Sequence, residues 1–125
     1  QRLGENNRRL RADRALWLAA HWSAPDADGH WRLLADPAHK RINPVPLHPD
    51  EIIECWSPTT ASVLWGDGAQ SGLMARLMAK PGEFERRSMA YGDLRIEHIE
   101  DSGHNVHQDQ PERLAEVIER FMTGR

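Results

Sequence analysis

"DSGHNVHQDQPERLAEVIERF", residues 101–121, reads as the end of a strand, a turn at Gly103, an exposed histidine at 104, and a helix with a defined start. Asp109 and Glu112 have the spacing of a capping box, and Pro111 falls in the first turn. Leu114, Val117, Ile118 and Phe121 then recur at helical spacing as one apolar stripe. This predicts a well-specified terminal helix. His104 is therefore presented where a strand hands over to a helix, which is where a base is placed as readily as a simple turn residue.

Working upstream, "LRIEHI" (94–99) alternates Leu94, Ile96 and His98 with Arg95, Glu97 and Ile99, as a strand near a sheet edge does. "ASVLWG" (61–66) is a short apolar run closed by glycine, the pattern of a strand covered on both faces. Between them "SGLMARLMAKPG" (71–82) has helical spacing at Leu73, Leu77 and Met78. Strand, helix, strand, helix in that order implies parallel strands joined by a right-handed crossover. Two parallel strands do not make a domain, so residues 58–125 read as the edge of a larger sheet.

Residues 1–57 have a different texture. Leu10, Arg14, Trp17, Leu18 and His21 or Trp22 predict one helix over residues 5–22, ending before "SAPDADG". Four prolines in "HWRLLADPAHKRINPVPLHPDE" predict extended or turning chain, and Asp50 is placed to cap a short helix through Cys55. This half is expected to be helix and loop, with no sheet of its own. The five tryptophans, Trp17, Trp22, Trp31, Trp56 and Trp65, are expected mostly in the core.

The 125 residues are 39% hydrophobic and 28% charged with a net charge of -3, an ordinary globular balance that favours neither nucleic acid nor an anionic membrane. The basic run "RRLRADR" (8–14) is interrupted by Asp13 and suits a solvated helix face. Cys55 is the single cysteine, so no intrachain disulfide forms; it is expected as a small buried hydrophobe, and a reducing, cytoplasmic setting is expected for the protein. No run of about 18 apolar residues is present. The chain opens without Met and within a helical pattern, which points to sequence further upstream.

In an open α/β sheet, ligands bind beyond the carboxyl ends of the strands. "WGDGAQSG" leaves the first strand and presents Asp67; "EDSGHNVH" leaves the second and presents His104. Adjacent parallel strands would bring the two into hydrogen-bond range, as the acid and base of a nucleophile–base–acid triad. His107 and Asp109 beside His104 are expected to support the loop rather than hold a metal.

With "ASVLWGDG" and "IEDSGHNVHQDQPERLAEVIERF" in that arrangement, the chain resembles the C-terminal part of the α/β-hydrolase family, and "LWLAAHW", "DPAHKRINPV" and "EIIECW" resemble the cap of a bacterial subgroup. The resemblance implies a partial α/β-hydrolase fold: a helical cap segment over 1–57, then two parallel strands with flanking helices over 58–125. It implies His104 as general base, Asp67 as the nearest match to the acid, a small-molecule substrate and no cofactor. In most members the acid follows the strand-ending glycine by three residues, and counting from Gly66 reaches Ala69. Three alternatives follow: Asp67 substitutes, another strand supplies the acid, or the triad is incomplete.

The elbow motif G-x-S-x-G is absent: Gly68 and Gly72 have its spacing, but Gln70 stands between them and Ser71 is off the motif. The chain alone is expected to be inactive. Two functions fit: the base-bearing portion of a hydrolase for ester-like or related small apolar substrates, or a non-catalytic remnant that associates through its open sheet edge with a second copy or a complementary hydrolase half.

Overall fold

The computed structural model describes residues 2–46 and 48–124. The chain divides into two compact units, Gln1–Leu47 and His48–Arg125. The division falls ten residues before the boundary at 57 drawn from the sequence, because the helix expected to end the first segment packs within the second unit.

The first unit holds helices α1 (Arg2–Asn6) and α2 (Ala12–Trp22). The single helix predicted over 5–22 is broken because Asn7 Oδ1 accepts from the Arg9 backbone N–H and its carbonyl from that of Leu10, an alternative to the helical ladder. Contrary to expectation this unit has a sheet. Strands β1 (Ser23–Pro25) and β2 (Trp31–Leu33) pair antiparallel, Ser23 opposite Leu33 and Pro25 opposite Trp31. Asp26 organises the turn: its Oδ1 accepts from the backbone N–H of Asp28 (3.0 Å) and His30 (2.9 Å), and Gly29 takes the left-handed conformation at φ 78°. Arg32 pairs with the other Asp26 oxygen. A five-residue connection, 26–30, built by one aspartate, and strands of only three residues hid this hairpin from periodicity. Leu10 and Leu18 are buried, whereas Trp17, Trp22 and Trp31 are exposed, so three of the five tryptophans lie outside the core.

The second unit begins with α3 (Pro49–Trp56), where His48 rather than Asp50 occupies the capping position. Asp50 lies in the first turn and pairs with Arg86. Cys55 is exposed, not buried. Strand β3 (Val63–Gly68), helix α4 (Gly72–Met78), helix α5 (Glu83–Ser88) and strand β4 (Leu94–Ile99) follow. Then come a single turn, α6 (Val106–Asp109), and the terminal helix α7 (Pro111–Thr123), which ends on a left-handed Gly124. The strands are parallel and in register from Val63 beside Leu94 to Gly68 beside Ile99. Tertiary order here comes from a small core of Ile99, Val106 and Val117, with Leu64 and Leu114 packed on it. Trp56 stacks on Tyr91 at 5.4 Å and Trp65 meets Phe84 edge-on at 5.5 Å, tying α3 and α5 into this unit.

Two local expectations change. Helix α5 breaks the crossover into two helices; Gly82 enters it in the left-handed conformation and Glu83 pairs with Arg86 and Arg87. At α7 the capping residue is Gln110, which makes no side-chain cap hydrogen bond; Asp109 instead reaches back and accepts from the Gly103 N–H at 2.8 Å. Among the described residues no helix is long and apolar enough to cross a membrane.

Ile99 is 2% exposed at the centre of the core. Ile99→Ala should cost roughly 2–5 kcal/mol in a urea unfolding curve, from lost burial plus the cavity left behind. The Arg86 and Arg87 guanidinium groups hold the Glu83 carboxyl down at about 2 from 4.5. A depressed folded-state value means that this stabilisation is fully present above pH 4.5 and is lost as pH falls through about 2. Glu83→Gln should therefore flatten the acid limb of a stability–pH profile over that window and leave the limb above it unchanged.

Candidate active site

Parallel pairing in exact register sets the carboxyl ends of β3 and β4 side by side. Asp67 and His98 are each the fifth residue of their six-residue strands and are register partners. Adjacent strands lie about 4.8 Å apart, so two such side chains on one face meet directly. His98 Nδ1 is 2.8 Å from Asp67 Oδ1. A carboxylate only accepts, so the Nδ1–H donates and the imidazole is held with Nε2 as its open nitrogen. Asp67 is 8% exposed while the His98 side chain is half exposed. The second carboxylate oxygen, Oδ2, is buried with no hydrogen-bond partner among the described residues.

The loop after β4 is bound tightly to the end of β3. Ala69 N–H donates to the Ile99 carbonyl at 3.0 Å and Gln70 N–H to the Ser102 carbonyl at 2.9 Å. Ser102, fully buried, donates its hydroxyl to the Ile99 carbonyl at 2.7 Å. Gly68 is where the two backbones come closest: a Cβ there would lie 2.1 Å from the Gly103 carbonyl oxygen and 2.6 Å from that of Ser102. Asp101 takes a left-handed φ of 53° to make the bend. Asp67 immediately precedes Gly68, and His104 immediately follows Gly103. His104 itself is exposed and makes no hydrogen bond or ion pair among the described residues.

A cleft of about 480 Å³ opens beside this point, lined among others by Asp67, Ser71, Met74, Met78, His98 and Glu100. His104 is not part of its lining. Ser71 is 5% exposed and caps α4, its oxygen accepting from the Met74 N–H at 3.4 Å. That places it as a structural hydroxyl, consistent with its position off the elbow motif.

The sequence placed Asp67 in a loop beyond the first strand, opposite His104. It lies within β3, and its partner is His98. The two loops do come together as expected, through Gly68 and Gly103, but the imidazole on the carboxylate is a strand residue that no motif singles out. Only the equal length and register of the two strands would have found it. Among the described residues one further cluster has metal-ligand types, Asp26, Asp28 and His30 in the first unit. Asp28 and His30 are exposed, and the partly buried Asp26 is engaged by the turn amides and Arg32.

No protein-family model and no curated protein matches this sequence. The solved structure of E-2-(acetamidomethylene)succinate hydrolase is similar to it, with a TM-score of 0.69 and 21% identity over 97% of this chain and 42% of that one. The chain thus spans less than half the length of that structure, and its fold is a partial α/β-hydrolase fold.

Gly68→Ala tests the junction. The added methyl meets backbone that has no rotamer to give, so the loop or the strand must shift. The variant should lose about 3 kcal/mol in urea unfolding, and the amide signals of residues 101–105 should move most in a heteronuclear NMR spectrum.

Proposed function

We propose that this chain is the base-and-acid portion of an α/β-hydrolase acting on a small ester-like or related apolar substrate. In the intact enzyme His104 takes the proton from the nucleophile or from the hydrolytic water, and the Asp67 carboxylate orients that imidazole and stabilises its charged form. The nucleophile and the oxyanion donors come from sequence outside this chain, since its elbow-spaced glycines, Gly68 and Gly72, flank Gln70.

The observation that carries the proposal is the junction of Gly68 with Gly103. It sets Gly68, which follows Asp67, against Gly103, which precedes His104, at the carboxyl edge of two parallel strands, and α/β sheets bind their ligands at that edge. The structural neighbour is named as a hydrolase, which supports the reaction class. A cap role is assigned to the first unit, whose apolar groove of about 860 Å³, lined in part by Leu10, Leu16, Trp22 and Trp31, suits contact with an apolar substrate. The chain alone should hydrolyse p-nitrophenyl acetate no faster than free imidazole. Joined to a nucleophile-bearing hydrolase half, it should gain turnover that His104→Ala lowers at least roughly a thousandfold in kcat. Unchanged turnover in that variant would remove His104 from the mechanism.

A second reading, a non-catalytic module that associates with a second copy or a hydrolase half, is favoured by the two-stranded β3–β4 sheet. Parallel sheets this small are not stable when uncovered. Sedimentation of the chain should then show concentration-dependent dimer, and a monomer at every concentration would count against self-association.

A further inference from the structure

We propose that Asp67 and His98 form an acid–base site of their own in this chain: a carboxylate-backed imidazole that takes a proton from a small uncharged substrate with a weakly acidic C–H bond. The proposal goes beyond the hydrolase reading and makes no use of His104.

The pair lies on its own face of the sheet. Side chains alternate across a strand, and the Cβ position of Gly68 faces the Ser102–Gly103 backbone, so Asp67 projects from the opposite face. His98, its register partner, meets it there, with Nδ1 2.8 Å from Asp67 Oδ1. Both line the cleft of about 480 Å³, together with Met74 and Met78 of α4 and with Glu100.

Three features fit this pair to proton abstraction. Burial is divided as a base and its support require: the Asp67 side chain is 9% exposed and that of His98 is 50% exposed. Donation of Nδ1–H to the carboxylate leaves Nε2 with its lone pair and with no partner among the described residues. A general base needs that tautomer, and the carboxylate stabilises the imidazolium formed when it accepts a proton. The cleft, finally, supplies little besides a base. The Ala69, Gln70 and Ser71 N–H groups already donate to the carbonyls of Ile99, Ser102 and Gly68, and neither lysine nor arginine lines the cleft. Acyl transfer needs donors for a developing oxyanion, so this site suits an elimination in which removing the proton is the difficult step. Asp67 and Glu100 disfavour an anionic substrate, and Met74, Ala75 and Met78 offer an apolar wall to an uncharged one.

5-Nitrobenzisoxazole is a probe of this chemistry. His98 Nε2 takes the ring C–H proton, the released electron pair completes the nitrile, the N–O bond breaks, and the oxygen leaves as a coloured phenolate; the imidazolium then returns its proton to water. The chain as it stands should convert the probe about a hundredfold faster than free imidazole at equal concentration. His98→Ala should remove that excess and His104→Ala should retain it. Asp67→Asn should remove it too, because an amide that donates to Nδ1 moves the ring proton to Nε2. No excess over imidazole, or an excess that survives His98→Ala, falls with His104→Ala or ignores Asp67→Asn, overturns the site. Long-range proton–nitrogen NMR at neutral pH tests the same point without any substitution: His98 should carry its proton at Nδ1, and a proton at Nε2 overturns the proposal. Neither readout depends on ester turnover, so the hydrolase reading and this site fail separately.

Discussion

The contact between Gly68 and the Ser102–Gly103 backbone is the constraint on which the second unit turns. No side chain fits between them, so β3 can end and the loop after β4 can begin in the same place only because residue 68 has no Cβ. Two backbone hydrogen bonds cross between the strand ends there, from the Ala69 and Gln70 N–H groups, and the Ser102 hydroxyl adds a third within the loop that leaves β4. The buried Ser102 thereby saturates the Ile99 carbonyl at the edge of the core, and Asp109 anchors Gly103 from the far side of the loop. The histidine loop is thus fixed at both ends while the imidazole of residue 104 stands clear.

From that junction the electrostatic character of the site follows. Register pairing puts a carboxylate and an imidazole on the same face at the last full step of the sheet. Burial is unequal between them: the aspartate is enclosed and the histidine is half exposed beside a cleft. The enclosed carboxylate has one oxygen bound by His98 and the other buried without a partner among the described residues, so its orientation is set by that one contact. The first unit is organised by a different and wholly local device, the Asp26 turn, whose carboxylate gathers two backbone amides and Arg32 and thereby closes a short hairpin.

Much of this was legible in the residues. The two strands, the parallel order and the terminal helix announce themselves because apolar periodicity reports local geometry, and β3, β4 and α7 are each long enough to express it. The glycine-flanked histidine and the missing elbow are legible for the same reason: both are local patterns. What the pattern did not carry were features set by single polar side chains. Asn7 interrupts a helix whose apolar spacing runs straight through it, and Asp26 creates strands too short to alternate. Asp109 leaves its expected capping place for a backbone amide six residues earlier in the chain. In each case a short side chain had two backbone partners within reach, and spacing alone does not choose between them.

The sequence by itself determined the two parallel strands of the second half with helical chain between them, the helix that follows, the presence of a histidine at a strand-to-helix turn and the absence of a nucleophile at elbow spacing. Only the tertiary structure decided that Asp67 belongs to a strand, that its partner is His98, and that residues 68 and 103 touch. The reason is physical. Periodicity specifies which face of an element is buried, but register between two strands 31 residues apart is settled by backbone hydrogen bonds and by where a missing Cβ lets two chains meet.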